Sequence, residues 1–234
     1  MTSIDPSYLD PSLPPHFPDP RFASEEGLLA FGGLLEPSWL LLAYAQGIFP
    51  WFGDGDPILW WSPDPRCVLD LEDLHVPRRL ARRARSPNLC LTWNQAFAEV
   101  LLGCNEDRPD GIWITPAMRR AYQRLHELGH AHSLEVWEGE KLVGGIYGVQ
   151  VGGFFAGESM FHRVRDASKI ALVALRRSLG AAGIQLFDVQ FLTPHLERFG
   201  AKEIPRERYL ERLVQAREAQ VDLRGLEPCF NPEV

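Results

Sequence analysis

The sequence lacks any run of about 18 apolar residues, so no segment reads as a membrane-spanning helix. It also lacks a basic start followed by an apolar stretch: MTSIDPSYLDPSLPPHFPDP does not resemble a secretory leader, and a cytoplasmic protein is expected. Cysteine is sparse. Cys67, Cys90, Cys104 and Cys229 form no C-x-x-C pair, which leaves four reduced thiols as the expectation and excludes a disulfide framework or a zinc knuckle. Positive charge is in deficit, with 24 Lys and Arg against 31 Asp and Glu. A net charge of −7 excludes a protein that coats nucleic acid with its whole surface. No G-x-x-x-x-G-K-[ST] loop and no G-x-S-x-G elbow occurs.

What is present points to a globular α/β protein. At 234 residues and 45% hydrophobic content the chain holds one large domain, or an ordinary one with a small partner. Prolines 6, 11, 14, 15, 18 and 20 crowd the start and predict an extended arm over residues 1–21, with order beginning near Phe22. Residues 22–65 read as a small module, with a helix from Pro37 to Gln46 and then the loop GIFPWFGDGDPILWWSPDP. Phe49, Trp51, Phe52, Trp60 and Trp61 fall within 13 residues there, and either form a small core or line a groove.

From residue 66 to 234 the pattern alternates between helix and strand. Cys67–Leu71 reads as a strand and Arg78–Arg85 as a helix. Thr92 or Asn94 is placed to cap a helix carrying Phe97, Val100, Leu101 and Cys104. Thr115-Pro116 opens another, stopped at Gly129. Residues 132–162 read as a three-strand meander. Asp166 is placed to cap a helix that is apolar on all sides, and strand IQLFDVQF, a short helix, a strand at 201–204 and a final helix follow. This order predicts a sheet of mixed direction.

Three motifs invite chemistry. His126-Glu127-Leu128-Gly129-His130 matches the zinc-peptidase signature H-E-x-x-H, but Gly129 ends the helix before His130 and removes the shared face that a metal needs. Arg78, Arg79, Arg82, Arg83 and Arg85 gather on about two helical turns, either as a solvated face or as a phosphate-binding patch. Glu158, Asp188 and Gln190 sit within strongly apolar strands. Period two places Asp188 and Gln190 on one face, and a carboxylate in such company must be paired, by Lys169, Arg163 or backbone amides, or else serve a site.

At these residues the chain resembles the leucyl/phenylalanyl-tRNA-protein transferase family. The blocks are Glu26-Gly-Leu-Leu-Ala-Phe-Gly-Gly, Ala43-Tyr-Ala-Gln-Gly-Ile-Phe-Pro-Trp-Phe, Leu59-Trp-Trp-Ser-Pro-Asp-Pro-Arg, Gly111-Ile-Trp-Ile, Gly157-Glu-Ser-Met-Phe, Phe187-Asp-Val-Gln and Thr193-Pro-His-Leu. The resemblance implies a small N-terminal domain followed by a GNAT-like acyltransferase domain. It implies transfer of Leu or Phe, and in some cases Met, from aminoacyl-tRNA to the α-amino group of proteins beginning with Arg or Lys, which creates a degradation signal. Ester aminolysis needs no metal and no organic cofactor, so none is expected, and a monomer is expected. By position the resemblance implies Asp188, Gln190 and Glu158 as catalytic, Phe155, Met160, Leu175 and Phe187 as the side-chain pocket, and Trp51, Trp113 and Tyr122 as stacking partners of the terminal adenosine. Arg78, Arg79, Arg82 and Arg83 would then hold the tRNA backbone. The chain departs from the family at His162, where serine is common, and at Phe187, where a smaller aliphatic is common and the larger ring would narrow the pocket. An acetyl-CoA-dependent acetyltransferase would need a Gln/Arg-x-x-Gly-x-Gly/Ala turn before the central helix, which Arg163-Val-Arg-Asp-Ala-Ser-Lys does not supply.

Overall fold

Proline does not keep the N-terminal arm out of the fold. In the computed structural model, which describes residues 6–72, 76–106, 114–228 and 230, Ser7–Leu9 forms strand β1 and pairs in parallel with β2, Leu28–Gly32. A proline ring restricts only its own φ and removes only its own N–H, so three residues between Pro6 and Pro11 suffice for an edge strand. The expectation of order beginning near Phe22 is corrected by this pairing, and Phe17 adds edge-on ring contacts to Trp39 and Trp60 at 5.8 and 4.8 Å. Helix α1 (Pro37–Ala45) and strands β3 (Phe49–Pro50) and β4 (Leu59–Trp61) complete the small sheet, in the order β1-β2-β4-β3.

The remaining elements follow the alternation expected from the sequence. They are β5 (Arg66–Leu69), α2 (Arg78–Ala84), β6 (Leu89–Trp93), α3 (Phe97–Gly103), α4 (Pro116–Glu127), β7 (Ala131–Glu138), β8 (Lys141–Val151), β9 (Phe154–His162), α5 (Ala167–Ala181), β10 (Leu186–Gln190), α6 (Pro194–Glu197), β11 (Ala201–Ile204) and α7 (Arg206–Glu218). The seven-stranded sheet runs β11-β5-β10-β9-β8-β7-β6. β9 and β10 are parallel and the other described pairs in it antiparallel, so the mixed α/β sheet read from the sequence is present.

Both faces of the large sheet are covered, and period two divides its strands accordingly. Phe154, Ala156 and Leu186 join α3, α4, α7 and the small sheet in one continuous core, while Phe155, Phe187 and Ile146 pack against α5. Eleven of the fifteen residues of α5 are buried, because the C-terminal segment, through Val221, Leu223 and Leu226, closes over the face that the sheet does not cover.

Two of the expected caps are corrected. Thr92 lies within β6 and Asn94 turns into the left-handed region at φ 58°, so neither caps α3. Glu135 of β7 substitutes from across the sheet: its carboxylate accepts from the backbone N–H of Gln95 and Ala96 at 3.4 Å each, and from the hydroxyls of Thr92 and Ser133. Asp166 stands at the start of α5 with φ 67°, but its side chain makes no capping bond and binds Lys169 at 2.6 Å instead. Thr115 does cap α4, accepting from Met118 N at 3.2 Å. That helix ends at Glu127, and Gly129, at φ 81°, turns the chain away so that His130 leaves the helix face carrying His126.

Candidate active site

Parallel pairing of β9 with β10 runs only from Leu186↔Phe154 to Asp188↔Ala156. Beyond it the strands part, and a cavity of about 430 Å³ opens between Gly157–Met160 on one side and Val189–Phe191 on the other. Divergence of parallel strands at their carboxyl ends is a common way to build a ligand site, since it exposes strand termini without an exposed edge. Phe49, Pro50 and Trp51 of the small module close one wall, and Ile146, Leu172, Thr193, His195 and Leu196 the other.

The surface is largely apolar, and its polar groups are few. Glu158 is half-buried on the wall: Tyr122 donates to its Oε2 at 3.2 Å, and Oε1 is sealed from solvent with no hydrogen-bond partner among the described residues. Burial pushes its carboxyl up to about 7, although the neighbouring Tyr44 and Tyr122 hydroxyls oppose the rise. The Tyr44 and Tyr122 hydroxyls share a 2.7 Å bond, and burial holds both phenols far above their ordinary range, so both stay protonated and able to donate. A chain from α1 through α4 to β9 thus fixes the acid.

Gln190 holds the opposite lip. Its φ of 57° breaks the strand rule after Asp188, and the pairing with β5 shifts register at that point. Asp188 and Gln190 consequently do not share a face, which corrects the expectation from period two. The Gln190 amide faces Gly157 O, and the orientation that satisfies both groups has its nitrogen donating to that carbonyl at 2.9 Å, bridging the gap between the two strands. Phe191 N, in a tight turn, donates to Val189 O at 2.7 Å, which swings the Phe191 ring to 5.7 Å from Trp51 and 5.9 Å from Phe49. Trp51 and Phe191, 42% and 39% exposed, form an open aromatic mouth.

Asp188 lies behind this wall. With 0% of its side chain exposed, it pairs with Arg66, itself 1% exposed, and accepts from Nε at 2.9 Å and Nη2 at 2.6 Å. Tyr209 OH and Gln190 N add bonds of 3.0 Å each, so the carboxylate accepts four hydrogen bonds and does not line the cavity. Arg66 spans to the small module, donating to Gly47 O at 2.9 Å and lying 4.8 Å over the Phe49 ring. Lys169 and Arg163, the partners suggested by the sequence, bind Asp166 and Glu106. Asp188 therefore acts on the site through two neighbours, Phe49 by way of Arg66 and Gln190 by its backbone.

The other sequence-predicted residues divide similarly. Trp51 and Met160 line the cavity. Phe155, Leu175 and Phe187 are fully buried one layer beneath, where Phe187 lies so close to Gly157 that an added Cβ would meet its ring at 2.9 Å. Phe187 therefore supports the floor and does not itself narrow the pocket. Tyr122 is fully buried and offers no face for stacking; its contribution is the bond to Glu158. Trp113 lies outside the described residues. Leu172, Val189, Phe191 and His195 were missed, because two helices, strand β10 and the residue after it deliver them and no local pattern marks them, whereas Phe49 belongs to the aromatic cluster that the sequence offered as a groove lining. His195 Nε2 is buried without a partner among the described residues.

The arginines of α2 are separate from the cavity. Arg79, Arg82 and Arg83 border a separate depression together with the β9–α5 link, Arg78 is exposed on the same helix, and Arg83 is held by Glu138 at 2.9 Å.

Two family models match the chain: leucyl/phenylalanyl-tRNA protein transferase over residues 68–214, and the N-terminal domain of the same family over residues 33–64. A leucyl/phenylalanyl-tRNA–protein transferase of Nitratidesulfovibrio vulgaris is 56% identical over 206 residues, covering 87% of this chain and 88% of its own. One from Edwardsiella ictaluri is 52% identical over 219 residues, covering 93% and 89%. Among solved structures, a GCN5-related N-acetyltransferase from Kribbella flavida aligns with 71% of this chain and 60% of its own, at 10% identity and a TM-score of 0.39. Sequence relatedness on this scale across both domains leaves one assignment, and the chain belongs to the leucyl/phenylalanyl-tRNA protein transferases, a family of aminoacyltransferases.

Proposed function

We propose that the chain moves Leu or Phe from the 3′ ester of its tRNA to the α-amino group of proteins beginning with Arg or Lys, giving products whose new N-terminal residue marks them for degradation. The observation that carries this reading is the facing pair Glu158 and Gln190 across the β9/β10 gap, on an otherwise apolar cavity with an aromatic mouth. Ester aminolysis needs little more from a protein. The amine nitrogen bonds to the carbonyl carbon, the bond to the ribose oxygen breaks, and that oxygen leaves with a proton lost by the nitrogen. Holding amine and ester together supplies much of the acceleration.

Each part of the cavity has a place in that step. Met160, Ile146, Leu172 and Val189 enclose the Leu or Phe side chain, while Trp51 with Phe191 offers rings on which the terminal adenine stacks. Glu158 supplies negative charge for the Arg or Lys side chain of the acceptor, and Gln190 orients the amine from the opposite lip. Arg79 and Arg82, with Arg78 and Arg83 beside them, take the tRNA backbone, a local patch on an acidic protein. The enzyme acts in the cytoplasm as a monomer.

Met160→Ala tests the pocket. It enlarges an apolar enclosure without removing a hydrogen bond, and one or two methylenes are worth about 1–3 kcal/mol of discrimination. The ratio of Leu to Phe transfer, measured in competition, is expected to shift toward Phe by about tenfold. An unchanged ratio would place the donor side chain elsewhere.

A further inference from the structure

The depression beside α2 contains an arginine that its sequence run does not announce. Arg79, Arg82, Arg83 and Ser86 border one side, and Arg165 with Asp166, from the link between β9 and α5, borders the other. Two observations bear on what this depression holds.

The first is charge. Arg83 is engaged by Glu138 at 2.9 Å, and Asp166 by Lys169 at 2.6 Å. Arg165 reaches Asp166 only at 3.7 Å and is 74% exposed, and neither Arg79 nor Arg82 has an ion-pair partner among the described residues. Four arginines thus border the depression against one carboxylate, Asp166. The start of α5, where Asp166 makes no side-chain cap, adds its own positive end.

The second is position. The link carrying Arg165 joins β9, whose Met160 walls the cavity, to α5, whose Leu172 walls it as well. Six helical residues from Asp166 to Leu172 span about 9 Å. The depression therefore lies a short step from the cavity, along the element that forms its wall.

We propose that Arg165, together with Arg79 and Arg82, forms a phosphate-binding subsite for the single-stranded 3′ end of the RNA, between the arginine helix and the cavity that receives its esterified terminus. This rests on the transferase reading and adds the β9–α5 link to the RNA-binding surface. Arg165 meets the backbone phosphates that lead into the cavity, and Arg79 and Arg82 meet them from the other bank.

The test compares Arg165→Ala, Arg165→Lys and Arg82→Ala with the unaltered protein, each checked by thermal melt. With charged tRNA as donor, Arg165→Ala should raise KM while leaving single-turnover transfer at saturation unchanged. Loss of one phosphate contact should make the fall in affinity between 50 and 200 mM salt about threefold shallower. Arg165→Lys should retain most of the affinity. An aminoacyl-adenosine donor, which lacks the preceding phosphates, should react equally well with all of them. The proposal is overturned if Arg165→Ala keeps the normal KM and salt slope while Arg82→Ala changes both, or if transfer from aminoacyl-adenosine falls too. Filter binding of tRNA by the same proteins reads the phosphate contact without the chemistry. Arg165-dependent binding by a protein that transfers nothing would retain the subsite and reject the transferase reading.

Discussion

Replacing Asp188 by alanine is expected to lower the melting temperature by roughly 6–20 °C and single-turnover transfer by about a hundredfold. The first figure follows from the pair it breaks. Arg66 is buried to 1%, and removing the carboxylate leaves its guanidinium charged and without its principal acceptor. Breaking a buried pair this way costs about 3–5 kcal/mol, and each kcal/mol lowers the midpoint of a chain of this size by about 2–4 °C. The second figure follows from geometry. Asp188 accepts from Gln190 N at 3.0 Å and, through Arg66, steadies Phe49, so its loss releases both lips of the cavity at once. Misplacement by about 1 Å costs roughly a hundredfold in rate. Asp188→Asn keeps the shape, and if it folds it separates the two effects: its rate should still fall, because an amide cannot accept from Arg66 Nε and Nη2 together. Urea melts and single-turnover transfer with saturating charged tRNA make the comparison. A folded variant with a near-normal rate would show that the Asp188 network serves stability alone.

Replacing Glu158 by glutamine should instead act on the acceptor. A hydrogen-bonded contact to a charged group contributes about 1.5–3 kcal/mol, so KM for an Arg-starting peptide at pH 8 should rise about tenfold to a hundredfold, with KM for tRNA unchanged. The pH dependence has a definite sign. Burial raises this carboxyl from its usual value near 4.5 to about 7, so between those limits the folded protein keeps a proton that the unfolded chain has lost. Its contribution to stability therefore falls as pH rises from about 4.5 to about 7 and is level above that. The ionised form, which attracts the cationic acceptor, predominates only above about 7. Acceptor KM in the unaltered enzyme should fall from pH 6 to pH 8 more steeply than in Glu158→Gln. Both proteins share the titration of the peptide amine, which cancels in the comparison. Parallel profiles would remove Glu158 from acceptor recognition.

Much of this fold is legible residue by residue, and the failures have common causes. Thr115-Pro116 and Gly129 bound α4 as local chemistry requires, and the apolar run Ile170–Leu175 marks α5 as enclosed. Proline spacing misled at β1, because an edge strand of three residues asks little of its neighbours. Cap residues misled at Asn94, whose side chain a tertiary partner, Ser133 N, took, and at Asp166, whose carboxylate went to Lys169 one turn further along the same helix. The site was half legible. Glu158, Asp188 and Gln190 stand out as polar groups in apolar strands, but strand periodicity assigned Asp188 and Gln190 one face, and a single positive φ at Gln190 separates them. Arg66, which pairs with Asp188, lies 122 positions away, and Arg165 reaches the α2 arginines only through the fold. No local pattern carries such juxtapositions.

The central claim is aminoacyl transfer from tRNA to a protein N-terminus, and one incubation tests it most directly. Purified protein is mixed with charged leucyl-tRNA and peptides that differ only in beginning with Arg, Lys or Ala, and the products are read by mass spectrometry. The account predicts that the Arg and Lys peptides each gain one leucyl residue at the α-amino group, without added metal or cofactor, and that the Ala peptide is left largely unmodified. Equal modification of all three, or release of free leucine with no peptide product, would contradict it.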